Sequence, residues 1–211
     1  MFEEALAFLR SRQKVTLFLT VANVAVFIVL SILGSTTDSM FMLRCGACYT
    51  PFVQNGEYWR LLTSVFLHFG LPHLLYNMVC LLALGNMLEE FTGHVRFAAI
   101  YLISGIAGNL LTCFVELRRG GGFAVSAGAS GAIFGGIGAL FWLVLSDRYV
   151  SGRVSVQRMI LLVVLMVAQG FLEAGTNNIA HVGGLAAGFI VAFLLFPPWK
   201  KQTESRRGGF Y

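Results

Sequence analysis

Six long apolar stretches decide what this chain can fold into. They are Val15–Leu33, Leu67–Leu88, Phe97–Val115, Val125–Leu145, Met159–Leu172 and Ile179–Phe196. A helix that crosses a bilayer needs roughly 20 apolar residues, and all of the stretches except the fifth come close to that length. Each run is continuous rather than alternating, which excludes transmembrane β-strands. We therefore predict an all-α membrane protein, a polytopic bundle of six transmembrane helices.

The composition agrees with a membrane class and argues against nucleic-acid binding. The chain is 57% hydrophobic and 12% charged, whereas a soluble domain is nearer half apolar and a quarter charged. Its net charge of +5 comes from residues in loops and tails, not from one basic patch. We predict a cytoplasmic N-terminal segment (1–14), one six-helix domain (15–196) with a long outer loop (34–66), and a cytoplasmic C-terminal tail (197–211).

The positions of the basic residues predict the orientation. Of the 15 Lys and Arg residues, only Arg44, Arg60, Arg118 and Arg119 fall on the side opposite the termini, which leaves 11 on the side of the termini. Basic loops stay in the cytoplasm, so both termini are expected there. Arg118 and Arg119 run against this rule. We expect a multi-pass protein of a bacterial inner membrane, with its site open to the outer face.

Two residues carry the chemistry that the sequence predicts. Ser130 opens the fourth stretch within Gly128-Ala129-Ser130-Gly131, and His181 opens the sixth. In the predicted topology both helices enter from the outer face, so hydroxyl and imidazole lie at similar depth. Glycines leave the hydroxyl accessible, and Gly184 and Gly188 let the two helices approach closely. A serine and a histidine base together favour nucleophilic catalysis. Helix packing through small residues is the alternative interpretation.

The second stretch supplies a further pair. His73 and Asn77 are four residues apart, so they share one face of a helix and lie at the depth of Ser130. An imidazole and a carboxamide are suitable donors to a developing oxyanion. The alternative interpretation is that both side chains make structural hydrogen bonds between helices.

Acidic residues are absent from the six stretches, which favours a dyad over a triad. The two aspartates, Asp38 and Asp147, lie outside the spans, and Glu173 between the fifth and sixth stretches is expected to face water. Phe134 follows Ser130 by one helical turn. We expect Phe134 to pack on the imidazole of His181 and to orient it without a carboxylate.

Four motifs taken together resemble the rhomboid family of intramembrane serine proteases: Tyr58-Trp59-Arg60, His73-x-x-x-Asn77, Gly128-Ala129-Ser130-Gly131 and His181-x-x-Gly184-x-x-x-Gly188. The resemblance covers residues 15–196. It implies that Ser130 is the nucleophile and His181 the general base. It also implies an oxyanion hole made of His73, Asn77 and the Ser130 backbone N–H, and a supporting role for Trp59 and Arg60 in the outer loop.

Other polar residues receive weaker interpretations. Ser126, expected one turn before Ser130, lacks the glycine setting of a nucleophile. We expect His68 at the outer interface and His94 in a cytoplasmic loop. Cys45 and Cys48 could form a local disulfide, but they lack the two further ligands that zinc needs. Cys80 and Cys113 look like buried apolar filler.

These observations predict an intramembrane serine endopeptidase that cleaves other membrane proteins in or near their transmembrane segments through an acyl-enzyme. Its expected partners are transmembrane protein substrates and membrane lipid. We expect no cofactor, no metal and no nucleic acid. The alternative function is a non-catalytic helix-binding chaperone or degradation adaptor, which loss of Ser130 or His181 would have indicated.

Overall fold

The computed structural model describes residues 13–146 and 176–197. Five long helices are present in this part of the chain: α1 (Lys14–Leu33), α5 (Gly70–Thr92), α6 (His94–Arg119), α7 (Ser130–Leu145) and α8 (Asn178–Leu195). All but α7 are long and apolar enough to cross a membrane. The all-helical, multi-pass prediction is therefore supported. The predicted fifth span, Met159–Leu172, lies outside the described residues, so six helices remain a prediction.

The connection between α1 and α5, predicted as a loop, holds three short helices and a 3-10 turn. These are α2 (Ser39–Arg44), α3 (Thr50–Gln54), α4 (Arg60–Thr63) and the turn Ser64–Phe66. The Arg60 guanidinium, only 5% exposed, holds them together. It donates to the carbonyls of Leu43 (2.6 Å) and Ala47 (3.1 Å) and pairs with Glu57 at 2.7 Å.

Aromatic rings complete the surroundings of Arg60. The guanidinium carbon lies 4.5 Å from the ring centre of Trp59 and 4.8 Å from that of Phe52. Trp59 itself is 50% exposed, as an aromatic residue near a membrane interface often is. A buried guanidinium that donates to two carbonyls and a carboxylate fixes the folded shape of the connection.

Helix α7 occupies the centre of the bundle, and it begins later than the sequence predicts. Residues 131–140 are all buried, and α7 packs against α5, α6 and α8. Its 16 residues span only about 24 Å, less than a bilayer core. Because protein surrounds its first ten or so residues, that part of the short helix leaves no backbone group in contact with hydrocarbon.

The residues before α7 are extended, so the prediction of one apolar helix from Val125 was wrong at its start. Ser126 and Cys48 form an antiparallel bridge with two hydrogen bonds of 2.9 Å. Gly128 follows with a φ of +141° and donates its N–H to the carbonyl of Ser64 at 2.9 Å. A positive φ cannot continue a helix, which explains why α7 starts only at Ser130. Ser126 therefore does not lie one helical turn before Ser130.

A buried carboxylate from α5 caps the first helix. Gln13 makes no side-chain cap, and Glu89, 2% exposed, takes that role from a distance. Its oxygens accept the N–H groups of Val15 and Thr16 at 2.8 Å and the Thr16 hydroxyl at 2.7 Å. The His94 ring also contacts it. His94 was predicted to lie in a loop, but it is the first residue of α6.

We expect Glu89→Gln to lower the free energy of unfolding by about 2–3 kcal/mol, because the amide turns a donor toward groups that need an acceptor. Glu90→Gln is the matched control, since Glu90 is exposed one residue further along α5. The measurement is reversible unfolding in mixed micelles. Equal stability of the two variants would show that the cap contributes little.

Candidate active site

Ser130 and His181 come together at the end of the bundle where α7 and α8 begin. Ser130 is the first residue of α7, and His181 is the fourth residue of α8. The Ser130 Oγ and His181 Nε2 atoms are 2.8 Å apart, although 51 residues separate them in sequence. His181 is only 9% exposed. A hydroxyl hydrogen-bonded to an imidazole nitrogen is the arrangement that proton transfer from a serine requires.

The ring of Phe134 stacks on the imidazole of His181. Their ring centres are 4.3 Å apart, and the planes differ by 15°. Within residues 13–146 and 176–197, no carboxylate is hydrogen-bonded to His181. Asp38 caps α2 by accepting the Met40 N–H at 2.8 Å, whereas Asp147 and Glu173 lie outside the described residues. An aromatic ring thus orients this histidine among the described residues.

Two glycines of α8 bring His181 to Ser130. A Cβ added to Gly184 would lie 2.0 Å from the carbonyl oxygen of Gly131, and one added to Gly188 would lie 1.9 Å from that of Gly135. Contacts of that length are impossible for a real side chain. The two helix backbones therefore touch directly, as small residues allow in membrane proteins.

We expect Gly184→Ala to push α8 away from α7, to cost about 1–3 kcal/mol of stability and to weaken the Ser130–His181 contact. Gly131→Ala is the matched control on the facing helix, because its added Cβ would meet Ala180 O at an ordinary 3.5 Å. It should change stability by less than about 1 kcal/mol. Unfolding and turnover measured on both variants test this. A harmless Gly184→Ala would contradict the packing account.

The N-terminus of α7 presents unsatisfied N–H groups beside the Ser130 hydroxyl. Its N-cap residue, Ala129, has no side chain able to accept a hydrogen bond, and none caps the helix. The first N–H groups of a helix have no intrahelical partner, and the helix dipole adds positive partial charge there. This end of α7 can therefore stabilise an oxygen anion that forms next to Ser130.

The His73 ring lies against Gly128 on the other side of the serine. A Cβ added to Gly128 would be 3.0 Å from His73 Nε2, 2.9 Å from its Cε1 and 3.8 Å from Ser130 Oγ. The Phe69 N–H donates to His73 Nδ1 at 3.3 Å. Since Nδ1 accepts, the proton of a neutral ring resides on Nε2, the atom that faces Gly128. His73 thus offers an N–H donor near Ser130.

Asn77 lies one turn further along α5 and is 1% exposed. Its Nδ2 donates to the carbonyl of His73 at 2.9 Å, which uses one of its two hydrogens. Among the described residues, its Oδ1 has no hydrogen-bond partner. A buried amide with spare hydrogen-bonding capacity is unusual, and a group that arrives with substrate can use it.

His68, which is expected at the outer interface, is buried inside the protein. His68 is 1% exposed, accepts the Ala129 N–H at 3.4 Å and contacts the His73 ring. Its place near the start of the second apolar stretch was the sequence signal of this burial. Gly70, with φ +75°, begins α5 two residues after His68.

The cysteines are arranged differently from the local disulfide considered above. All four thiols are free, and Cys48 packs against Cys113 of α6 in a small cluster with Val53 and Leu61. Contact with the Cys113 thiol and burial raise the pKa of Cys48. No group of three His, Cys, Asp or Glu side chains able to hold a metal ion occurs among the residues that the structure describes.

Comparison with known proteins shows the family of the chain. The family model of the rhomboid domain matches residues 55–198. Rhomboid protease GluP of Bacillus subtilis (strain 168) is 34% identical over 195 residues, covering 92% of this chain and 37% of GluP. RHOMBOID-like protein 5 of Arabidopsis thaliana is 38% identical over 154 residues, covering 72% of this chain and 48% of that protein.

The B. subtilis protein YdcA is 38% identical over 146 residues, which is 69% of this chain and 71% of YdcA. The chain thus spans between a third and a half of the first two relatives and most of YdcA. A domain match over more than half of the chain, with relatives of this similarity, assigns the family. The chain belongs to the rhomboid family.

Proposed function

We propose that this protein is an intramembrane serine endopeptidase that hydrolyses peptide bonds in or near the transmembrane segments of other membrane proteins. The observation that carries the proposal is the 2.8 Å contact between Ser130 Oγ and His181 Nε2 at the uncapped N-terminus of α7. Nucleophile, base and anion-stabilising donors are then all present within one buried site, which is what acyl transfer needs.

In the proposed reaction, Ser130 Oγ attacks the scissile carbonyl carbon while His181 Nε2 accepts its proton. The carbonyl oxygen becomes an anion and receives hydrogen bonds from His73 Nε2, from Asn77 Nδ2 and from the Ser130 N–H. The C–N bond then breaks, and His181 donates the proton to the leaving amine. A water molecule, deprotonated by the same imidazole, hydrolyses the ester that remains on Ser130.

The substrate must present a free carbonyl, which restricts its structure. Every carbonyl in the middle of a transmembrane helix is already hydrogen-bonded. A bound helix therefore has to unwind locally before Ser130 can attack. This favours substrates that carry helix-breaking or small residues near the membrane surface on the side of the site.

We further propose that both termini are cytoplasmic, that the site opens to the outer face, and that the membrane is a bacterial inner membrane. The 11-to-4 distribution of basic residues supports this orientation. In this orientation, water from the outer side of the membrane can reach the site.

Asp38→Cys tests the orientation, because Asp38 is exposed in the segment between α1 and α5. In a variant without the four native cysteines, a membrane-impermeant maleimide added to intact cells should label Asp38→Cys. Gln202→Cys in the predicted tail should react only after permeabilisation. The reverse pattern would invert the topology.

The function is tested with the purified protein in liposomes that contain a single-span substrate with a small residue before the expected cleavage point. We expect a defined cleavage product, and a loss of activity as the pH falls through the titration of His181, because a protonated imidazole accepts no proton. His181→Ala should remove the activity. Binding of the substrate without cleavage at any pH would favour the adaptor function instead.

A further inference from the structure

His68 is a buried polar residue that the proposed reaction does not use. It lies between the 3-10 turn Ser64–Phe66 and α5, outside any helix, and is among the largest fully buried side chains of the described residues. Its Nδ1 makes no hydrogen bond of good geometry there, although the ring interacts with the Phe66 backbone. An imidazole buried at this cost needs a reason, since an apolar side chain would fill the space without desolvating two nitrogens.

The contacts of His68 join the two halves of the oxyanion site. On one side its Nε2 accepts the N–H of Ala129, the residue directly before Ser130. On the other side it meets the His73 ring, with ring centres 5.2 Å apart and planes at 65°. One side chain thus contacts both the backbone that presents the Ser130 N–H and the ring that presents the His73 Nε2–H.

Three hydrogen bonds from backbone N–H groups anchor the segment before Ser130 to the rest of the protein. Those of Ser126 and Gly128 donate to the backbone carbonyls of Cys48 and Ser64, both at 2.9 Å. The third, from Ala129, donates to His68 Nε2 at 3.4 Å. Of these three acceptors only His68 is a side chain. It also accepts the N–H that is closest in sequence to Ser130, and Ala129 is 0% exposed, so no water replaces it.

We propose that His68 is a positioning residue for this site, which fixes the Ala129–Ser130 backbone and the His73 ring so that their N–H groups converge on one oxygen. The inference rests on the proposed function. A mobile donor stabilises the transition state less, because ordering the donor costs free energy during the reaction. Displacing such a group by about 1 Å can lower the rate by about 10²-fold.

The test compares two variants that differ in one property. His68→Gln keeps a hydrogen-bond acceptor close to the position of Nε2, whereas His68→Phe keeps the ring but has no acceptor. We expect kcat to fall by about 10–100-fold in His68→Phe with KM within about twofold of the wild type. His68→Gln should retain kcat within about fivefold. Tyr76→Phe, which removes another buried polar group on α5, should leave kcat unchanged.

Melting temperatures on the same preparations separate positioning from folding. If His68→Phe does not fold, His68→Leu, which also lacks an acceptor, takes its place. Equal kcat for His68→Phe and His68→Gln, whether both normal or both low, would overturn the inference, because only the acceptor distinguishes them. The proposed function would survive that result if the wild type cleaves the substrate and Ser130→Ala does not. A wild type that never cleaves would instead refute the proposed function, and the inference with it.

Discussion

Replacing Ser130 with alanine is expected to abolish cleavage of a transmembrane substrate, lowering turnover by at least about 10⁴-fold, or more than about 5 kcal/mol in the activation barrier. The substitution removes the attacking oxygen and leaves Phe134, His73 and the end of α7 in place. Because Ser130 makes no helix cap, only its hydrogen bond to His181 is lost, and stability should change by about 1 kcal/mol.

Ser126→Ala is the control for Ser130→Ala. Ser126 lies four residues earlier, but its backbone pairs with Cys48, and the hydrogen bond of His181 Nε2 goes to Ser130 Oγ. We expect Ser126→Ala to keep full turnover. Both variants are measured in the same liposomes with the same substrate, and their melting temperatures are recorded. Cleavage by purified, folded Ser130→Ala would remove Ser130 as nucleophile.

Asn77→Ala is expected to lower turnover by about 10²–10³-fold, or roughly 3–4 kcal/mol, with little effect on substrate binding. The physical reason is that the second Nδ2 hydrogen of Asn77 finds its acceptor only when the oxyanion forms. His73→Ala should act in the same way. The double variant should lose less than the product of the two effects, since both donors serve one oxygen.

Asn23→Ala provides a control, because Asn23 makes the same kind of side-chain-to-backbone hydrogen bond as Asn77. Each is buried, donates Nδ2 to the carbonyl four residues earlier, and has an Oδ1 without a partner in the described residues. Asn23 lies on α1, away from Ser130. We expect Asn23→Ala to lower the melting temperature without changing turnover per folded molecule. If Asn77→Ala behaves like Asn23→Ala, both Asn77 and His73 are structural.

The apolar pattern predicts most of the helical framework. The expected ends of α1, α5, α6 and α8 differ from the observed ones by at most four residues, because lipid imposes a length on each apolar run. The contact between Ser130 and His181 follows from the same pattern. Segments that enter from one face hold their first residues at one depth, and the glycines of α7 and α8 predict which helices touch.

The apolar pattern of the sequence does not predict contacts between segments that are distant in the chain. The start of α7 depends on Gly128 and on the pairing of Ser126 with Cys48, which is 78 residues away. No local sequence pattern predicts that bridge. From sequence, Glu89 resembles a surface residue at the end of a span. In the fold it is buried because the N–H groups of Val15 and Thr16 donate to it. His68 is polar and next to a helix start, so burial was the less obvious choice. In each case a tertiary contact decides the environment of a residue whose own type is ambiguous.

Labelling with a fluorophosphonate, which reacts with activated serine hydroxyls, tests the central claim most directly. The purified wild-type protein is treated in detergent, digested, and the modified residue is identified by mass spectrometry. We predict one label per chain, on Ser130, with labelling lost in His181→Ala although that variant stays folded. A label on another serine, or none on a folded wild-type protein, would contradict the assignment of Ser130 and His181 as the catalytic pair.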